Sequence, residues 1–271
     1  MQPPTTDDQV AVTTAGPVAT LWLNRPSKRN AVTSTMWRGI AAACDDLRPR
    51  RDVRLLVVRG VGEHFCAGAD IGERGTVDAD VYLAATRAAE GGLHEFPKPT
   101  IAFIRGSCVG GGAEIAIACD LRICDTTARF GITPARLGIV YPSFAIERAV
   151  RLLGPSSTKH LLYSAELVDA ERALRIGLVD EVHEPGAAEE RLEAFTHLLA
   201  TERSALTQQA SKQLVDAVVS HGAIPHSLAQ RWAAEVAASS DQQEGAAAFA
   251  ERRAPRFTWD HPTTPRLEPE A

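Results

Sequence analysis

The sequence predicts an α/β protein, and three observations carry that expectation. Short apolar runs suited to buried strands alternate with amphipathic segments over residues 10–150. A plan of strand, glycine-bearing loop and helix occurs twice, once from Val53 to Phe96 and again from Ile101 onward. Beyond Ser143 the character changes, and the chain becomes rich in alanine and short of strand-like runs. This divides the chain into a polar, Pro-containing tail at 1–9 expected to be disordered, a core at 10–190, and a helical region at 191–271.

Taken in order, Val10–Thr14 and Val18–Leu23 flank Ala15-Gly16-Pro17 as a hairpin. Asn24-Arg25-Pro26 ends the second strand, and Ala31–Leu47 is an amphipathic helix with Met36, Ile40, Ala43 and Leu47 on one face. Val53–Arg59 is a buried strand, followed by the glycine-bearing loop HFCAGADIGERG and a helix over Val81–Phe96. Pro97 and Pro99 mark the entry to the next strand. Leu121–Cys124 and Arg129–Ile132 are further short strands. Ala145–Leu153, Ser156–Ser164 and Asp169–Ile176 are helix candidates, Gly177–Asp180 is a turn or short strand, and four more helices follow between Ala187 and Arg253.

The stretch Pro99–Asp120, PTIAFIRGSCVGGGAEIAIACD, organises the rest. Ile101–Ile104 is a buried strand. Gly110-Gly111-Gly112 permits a tight turn, and a largely apolar helix runs from Ala113. Such a turn aims free backbone N–H groups, aided by the helix dipole, at whatever lies above it. Glu114 breaks the apolar pattern in the first helical turn. Its carboxylate is either satisfied by the N-terminal amides or held ready to move a proton.

The 271 residues, 45% apolar and 23% charged, suffice for one sizeable core with a helical appendage. A net charge of -5 supplies no general attraction to nucleic acid or anionic membrane. Five cysteines without a CxxC pair suggest reduced thiols and a cytoplasmic location. MQPPTTDDQ lacks the features of a signal peptide, and no apolar run approaches a membrane span. Neither metal-ligand spacing nor a dinucleotide or P-loop pattern occurs. His64 precedes the AGAD loop with no orienting partner in view, and Ser107 lacks the GxSxG context of a hydrolase nucleophile.

Six segments in sequence order carry a family resemblance: NRPSKRNA at 24–31, HFCAGADI at 64–71, the stretch 96–120, ARFGITPARLGI at 128–139, ALRIGLVDEV at 173–182 and FAERRAPRF at 249–257. From residue 10 to about 257 the chain resembles the enoyl-CoA hydratase/isomerase, or crotonase, superfamily. That resemblance implies a crotonase-like spiral of strand–strand–helix units whose C-terminal helices build a homotrimer, often paired into a hexamer. It implies an acyl-CoA substrate, with no cofactor beyond the CoA moiety. The thioester oxygen is expected between the N–H groups of Ala69 and Gly111, which stabilise an enolate-like oxyanion. Glu114 falls on the first of the family hydratases' two acid/base glutamates.

The second glutamate's position, counted from Cys119-Asp120 and from Leu137-Gly138, is occupied by Pro134. Glu147, a dozen positions later on the next predicted helix, is a remote substitute. ITPARLGIVYP also resembles the methylmalonyl-CoA decarboxylase branch, which carries a Tyr at the position of Tyr141. That branch, however, has His where this chain has Ala69. Tyr141 is thus either a catalytic hydrogen-bond donor or an amphipathic wall residue. For CoA, the resemblance implicates Arg25 and Lys28 near the phosphates and Cys66, Ala67, Ala69, Asp70 and Ile71 near adenine and pantetheine. Phe249 and Arg252 fall on a C-terminal helix expected at the CoA. Gly72 replaces a common phosphate-binding Lys. The resulting expectation is an enoyl-CoA hydratase-type lyase of fatty acid metabolism with a single glutamate acid/base. A decarboxylase or isomerase is the alternative, and a non-catalytic acyl-CoA- or RNA-binding relative the reading of another class.

Overall fold

A computed structural model describes residues 2–73 and 75–259. The hairpin forms as expected, with β1 (Val10–Ala15) antiparallel to β2 (Val18–Leu23). Helix α1 (Ser34–Leu47) begins three residues later than its periodicity suggests. Val32 is taken into a bridge with Ala69, and the Thr33 side chain accepts from the Met36 amide, which fixes the helix start at Ser34. β3 (Leu55–Gly60) and α2 (Ala79–His94, capped by Asp78) complete the first strand–loop–helix unit.

The second unit consists of β4 (Thr100–Ile104), β5 (Ser107–Val109) and α3 (Gly111–Ala118). β5 lies between two positive-φ glycines, Gly106 and Gly110, and is too short to show a sequence period. After it come β6 (Leu121–Asp125) and β7 (Arg129–Gly131). α4 (Ser143–Ser164) joins the two helices expected there, with a break at Gly154 (φ 71°, ψ 168°) just before Pro155. The remaining elements are β8 (Val168–Asp169), α5 (Ala170–Arg175), β9 (Glu181–His183), α6 (Pro185–Thr201), α7 (Ala205–His221), α8 (His226–Ala238) and α9 (Asp241–Glu251).

The larger sheet has strand order β1-β2-β3-β4-β6-β9 and is parallel after the first pair, whereas β5-β7-β8 form a second, three-stranded sheet. Side chains alternate across the larger sheet. Leu56, Val58, Ala102 and Ile104 pack with Met36, Ile40 and Leu93 from α1 and α2. On the opposite face, Leu55, Val57, Ile101 and Phe103 pack with Ala188 and Leu192 from α6. Both faces are covered, which is why these strands are uninterrupted apolar runs. A separate cluster of Leu206, Ala210, Leu228 and Trp232 joins α7 to α8.

The two sheets meet where the 64–71 loop lies against β5. Cys66 N–H donates to the Ser107 carbonyl at 2.8 Å, and Val109 N–H donates to the Cys66 carbonyl at 3.0 Å. Gly112 lies directly on this contact, and a Cβ there would come within 2.9 Å of Cys66 Cβ and closer still to its carbonyl oxygen. Gly112→Ala should therefore destabilise the fold by about 1–3 kcal/mol. The measurement is the urea midpoint at constant m-value, and an unchanged midpoint would show that the two turns are not in rigid contact.

Candidate active site

Two backbone turns create the site. Val32 donates its N–H to the Gly68 carbonyl and accepts from the Asp70 amide, both at 2.8 Å. In this parallel bridge the residue between those two, Ala69, turns its own N–H away from Val32. Gly111 opens α3, so its N–H has no intrahelical acceptor. Neither amide has a backbone acceptor among the described residues. The turns touch: a Cβ on Gly111 would lie 3.4 Å from Ala69 N, and one on Gly68 would lie 3.9 Å from Gly111 N. The same Cβ on Gly111 would stand 3.1 Å from both Val32 Cγ1 and Trp37 Cζ2, so this position excludes a side chain by contact. Ala69 is exposed whereas Gly111 is buried, so the contact between the two turns lies at the edge of the core. Paired donors of this kind stabilise an oxyanion.

Glu114 sits one turn along α3, 6% exposed. Its carboxyl meets the Tyr141 hydroxyl and the carboxyl of Glu90 rather than the amides of its own helix. Tyr141 comes from the segment before α4, and its hydroxyl donates to the Gly110 carbonyl at 2.9 Å. Glu90, from α2, is 1% exposed and receives Arg148 Nη1 at 2.6 Å. Burial raises the Glu114 carboxyl above the usual glutamate range, partly offset by the neighbouring Tyr141 and Glu90 side chains and by the Arg148 charge. Burial also raises Glu90, and the neighbouring Glu114 charge adds to the rise. Tyr141 is pushed up by burial and by both carboxylates, so it stays a neutral donor. Trp37 Nε1 donates to the Tyr82 hydroxyl at 2.9 Å, tying α1 to α2.

The structure thus brings together Ala69, Gly111, Glu114 and Tyr141. Pro134 is buried and offers no acid, and Glu147 faces solvent on α4. Sequence reasoning missed Glu90 and Arg148. Glu90 was detectable, because Thr86, Ala89 and Leu93 give α2 an inward face on which Glu90 also falls. Its partner Arg148 lies 58 residues away, beyond any local pattern.

The residues assigned to CoA separate into groups. Arg25 is engaged twice, by Asp70 at 2.9 Å and by the Ala31 carbonyl at 2.6 Å, and so ties the 24–31 turn to the 66–72 loop. The Gly72 amide, followed by Arg25, holds the Asp70 carboxyl below its usual range. Lys28 is exposed beside them, as are Ala69 and Ile71, and Ala67 is half-buried. Cys66 is fully buried in the core, where burial pushes its thiol up to about 12, so it anchors the loop from within. Phe249 and Arg252 lie at the C-terminal end of the described chain. Phe249 is exposed on an open cavity of about 1040 Å³ lined also by Ile117, Leu121 and Val215, with no lining residue from the 25–28 or 66–71 segments. Arg252 caps α9 with φ 54°. His64 Nδ1 accepts the Ser107 backbone amide at 3.1 Å, so the imidazole braces the two turns. Among the described residues no group of three or more His, Cys, Asp or Glu is placed to hold a metal ion, and no helix is long and apolar enough to cross a membrane.

A family profile described as enoyl-CoA hydratase/isomerase matches residues 13–260. An (E)-benzylidenesuccinyl-CoA hydratase of Thauera aromatica is 33% identical over 249 residues, covering 89% of this chain and 95% of that protein. A solved structure of an enoyl-CoA hydratase/isomerase family member superposes with a TM-score of 0.84 at 35% identity, covering 93% of this chain and 98% of the other. An enoyl-CoA hydratase/carnitine racemase structure from Magnetospirillum magneticum superposes at 0.89 with 29% identity, covering 93% and 96% of the two chains.

The raised Glu114 titration has a consequence for stability. Folding penalises the ionised carboxyl, so stability is full below the ordinary glutamate range and is lost as pH rises through the raised value. Glu114→Gln cannot ionise. Relative to wild type it should gain about 1–3 kcal/mol between about pH 5 and about pH 9. Urea unfolding at both pH values measures this, and a constant difference would mean that the carboxyl is well solvated.

Proposed function

This chain belongs to the enoyl-CoA hydratase/isomerase family, and we propose that within it the protein is a hydratase-type lyase acting on a 2-enoyl-CoA. The observation that carries this reading is the contact between the turns that hold the Ala69 and Gly111 amides, one helical turn from the buried Glu114 carboxyl. With the thioester oxygen between the two amides, the Glu114 carboxylate takes a proton from water as the water oxygen bonds to the β-carbon. The alkene electron pair moves toward the thioester, and the negative charge on oxygen is held by the two N–H groups. Collapse of this enolate takes the proton from Glu114 to the α-carbon, so one carboxyl completes the addition of water. Each backbone donor is worth about 3 kcal/mol in such a site. Tyr141 lies beside Glu114 with its hydroxyl hydrogen on the Gly110 carbonyl and, being neutral, adds no charge.

A second reading, decarboxylation through the same enolate, is favoured by the Tyr141 hydroxyl beside Glu114 and by Thr133-Pro134. It needs a proton donor for the carbanion and no activated water. Ala69 in place of the branch's His weighs against it. For CoA, exposed Lys28 is the better phosphate ligand, since Arg25 is engaged with Asp70. Assembly as a trimer or hexamer belongs to the same proposal. It is supported by the apolar cavity that Val215, Val219 and Phe249 of α7 and α9 leave open.

Crotonyl-CoA, followed by loss of the enoyl absorbance, is the test substrate, with methylmalonyl-CoA and product analysis in parallel. The proposal expects hydration that Glu114→Gln lowers by on the order of 10²- to 10⁴-fold. Loss of CO2 from methylmalonyl-CoA that depends on Tyr141, without hydration, would establish the second reading instead.

A further inference from the structure

Glu90 is a buried acid that the reaction sketched above leaves idle, and its surroundings give it a definite proton count. Arg148 from α4 donates to Oε2, while Oε1 is shielded from solvent and receives no donated hydrogen. The side chain it meets on α3 is the Glu114 carboxyl. Tyr141, from the segment before α4, directs its hydroxyl hydrogen to the Gly110 carbonyl. On the same face of α2, the Tyr82 hydroxyl accepts from Trp37 of α1. His94, at the end of α2, is kept neutral by burial first and then by Arg148. Two ionised carboxylates offer only acceptors to each other, so their contact is a bond only when a proton lies between them.

We propose that Glu90 and Glu114 share one proton around neutral pH, with Arg148 balancing the single remaining charge, and that Glu90 is thereby a positioning residue that presents Glu114 to the substrate as a hydrogen-bonded carboxylate. A second carboxyl, absent at Pro134, thus comes to Glu114 from α2. Burial holds both titrations above the ordinary range, consistent with one retained proton. The inference rests on the reading of Glu114 as the group that moves the proton. The shared proton stays in the pair, so the balance of the addition is unchanged.

The pair titrates in two macroscopic steps. At the lower step it gains a second proton and Glu114 ceases to be a base. At the upper step it loses the shared proton, and two carboxylates repel each other beside one arginine. A bell-shaped dependence of kcat/KM on pH follows. Glu90→Gln retains a donor toward Glu114 and an acceptor for Arg148, but cannot ionise. It should lose about two- to tenfold at neutral pH and lose the alkaline limb of the profile. The second readout needs no substrate. Infrared spectra at about pH 8 should contain a protonated-carboxyl band that Glu90→Gln and Glu114→Gln each remove. An unaltered alkaline limb in folded Glu90→Gln would overturn the proposal, as would a loss of on the order of 10²-fold or more, which would make Glu90 a proton-transferring group itself. If wild type hydrates nothing, the hydratase reading fails, and the infrared band alone decides the shared proton. Its presence and its loss in both variants uphold the pair, and its absence from wild type overturns it. Should Glu90→Gln not fold, the wild-type band and its titration with pH decide in the same way.

Discussion

The close approach of two glycine-bearing turns is the constraint on which the rest of this structure depends. The 64–71 loop and the 106–112 turn share backbone hydrogen bonds at Cys66 and Val109, and the glycines at 68, 111 and 112 remove the atoms that would hold the turns apart. Packing at this contact brings two unused amides to one place. The sheet's contribution is to deliver the turns. β3 and β4 are adjacent and parallel, so the loop after β3 and the turn after β4 leave the same end of the sheet.

Around that backbone cradle the side chains are arranged by burial. α3 is buried along almost its whole length, which places Glu114 in apolar surroundings unless other groups reach it. Tyr141, Glu90 and Arg148 reach it or its partner from three separate segments. The outcome is a carboxyl whose titration burial raises above the range of a solvated glutamate. The cost of burying it is a stability that declines as the pH rises. This is the usual direction of trade between a stable core and a group poised for proton transfer.

Much of the architecture was legible in the sequence because it depends on local signals. The hairpin around Gly16, the strands at 53–59 and 101–104 and the glycine run before Glu114 each follow from composition within a few residues. The family resemblance supplied Ala69 and Gly111, and the structure places them together. Start of α1 at Ser34 was not legible, because a long-range bridge from Val32 to Ala69 overrides the helical period. β5 was missed because three residues show no alternation. Glu90 was overlooked although the α2 period placed it inward, since a lone glutamate in an exposed-looking helix suggests a solvated face until its partners are known. The placement of Phe249 on a cavity that no residue of the 66–71 loop lines depends on how α9 folds back, which no local pattern encodes.

The proposed role of the Ala69 and Gly111 amides is to polarise a thioester oxygen. The most direct measurement is the Raman stretch of an isotope-labelled thioester carbonyl in crotonyl-CoA bound to Glu114→Gln, in which the substrate persists. Two preorganised N–H donors predict a clear shift of that band to lower frequency relative to free crotonyl-CoA. A carbonyl band unchanged from that of the free thioester, with the ligand bound, would contradict the account.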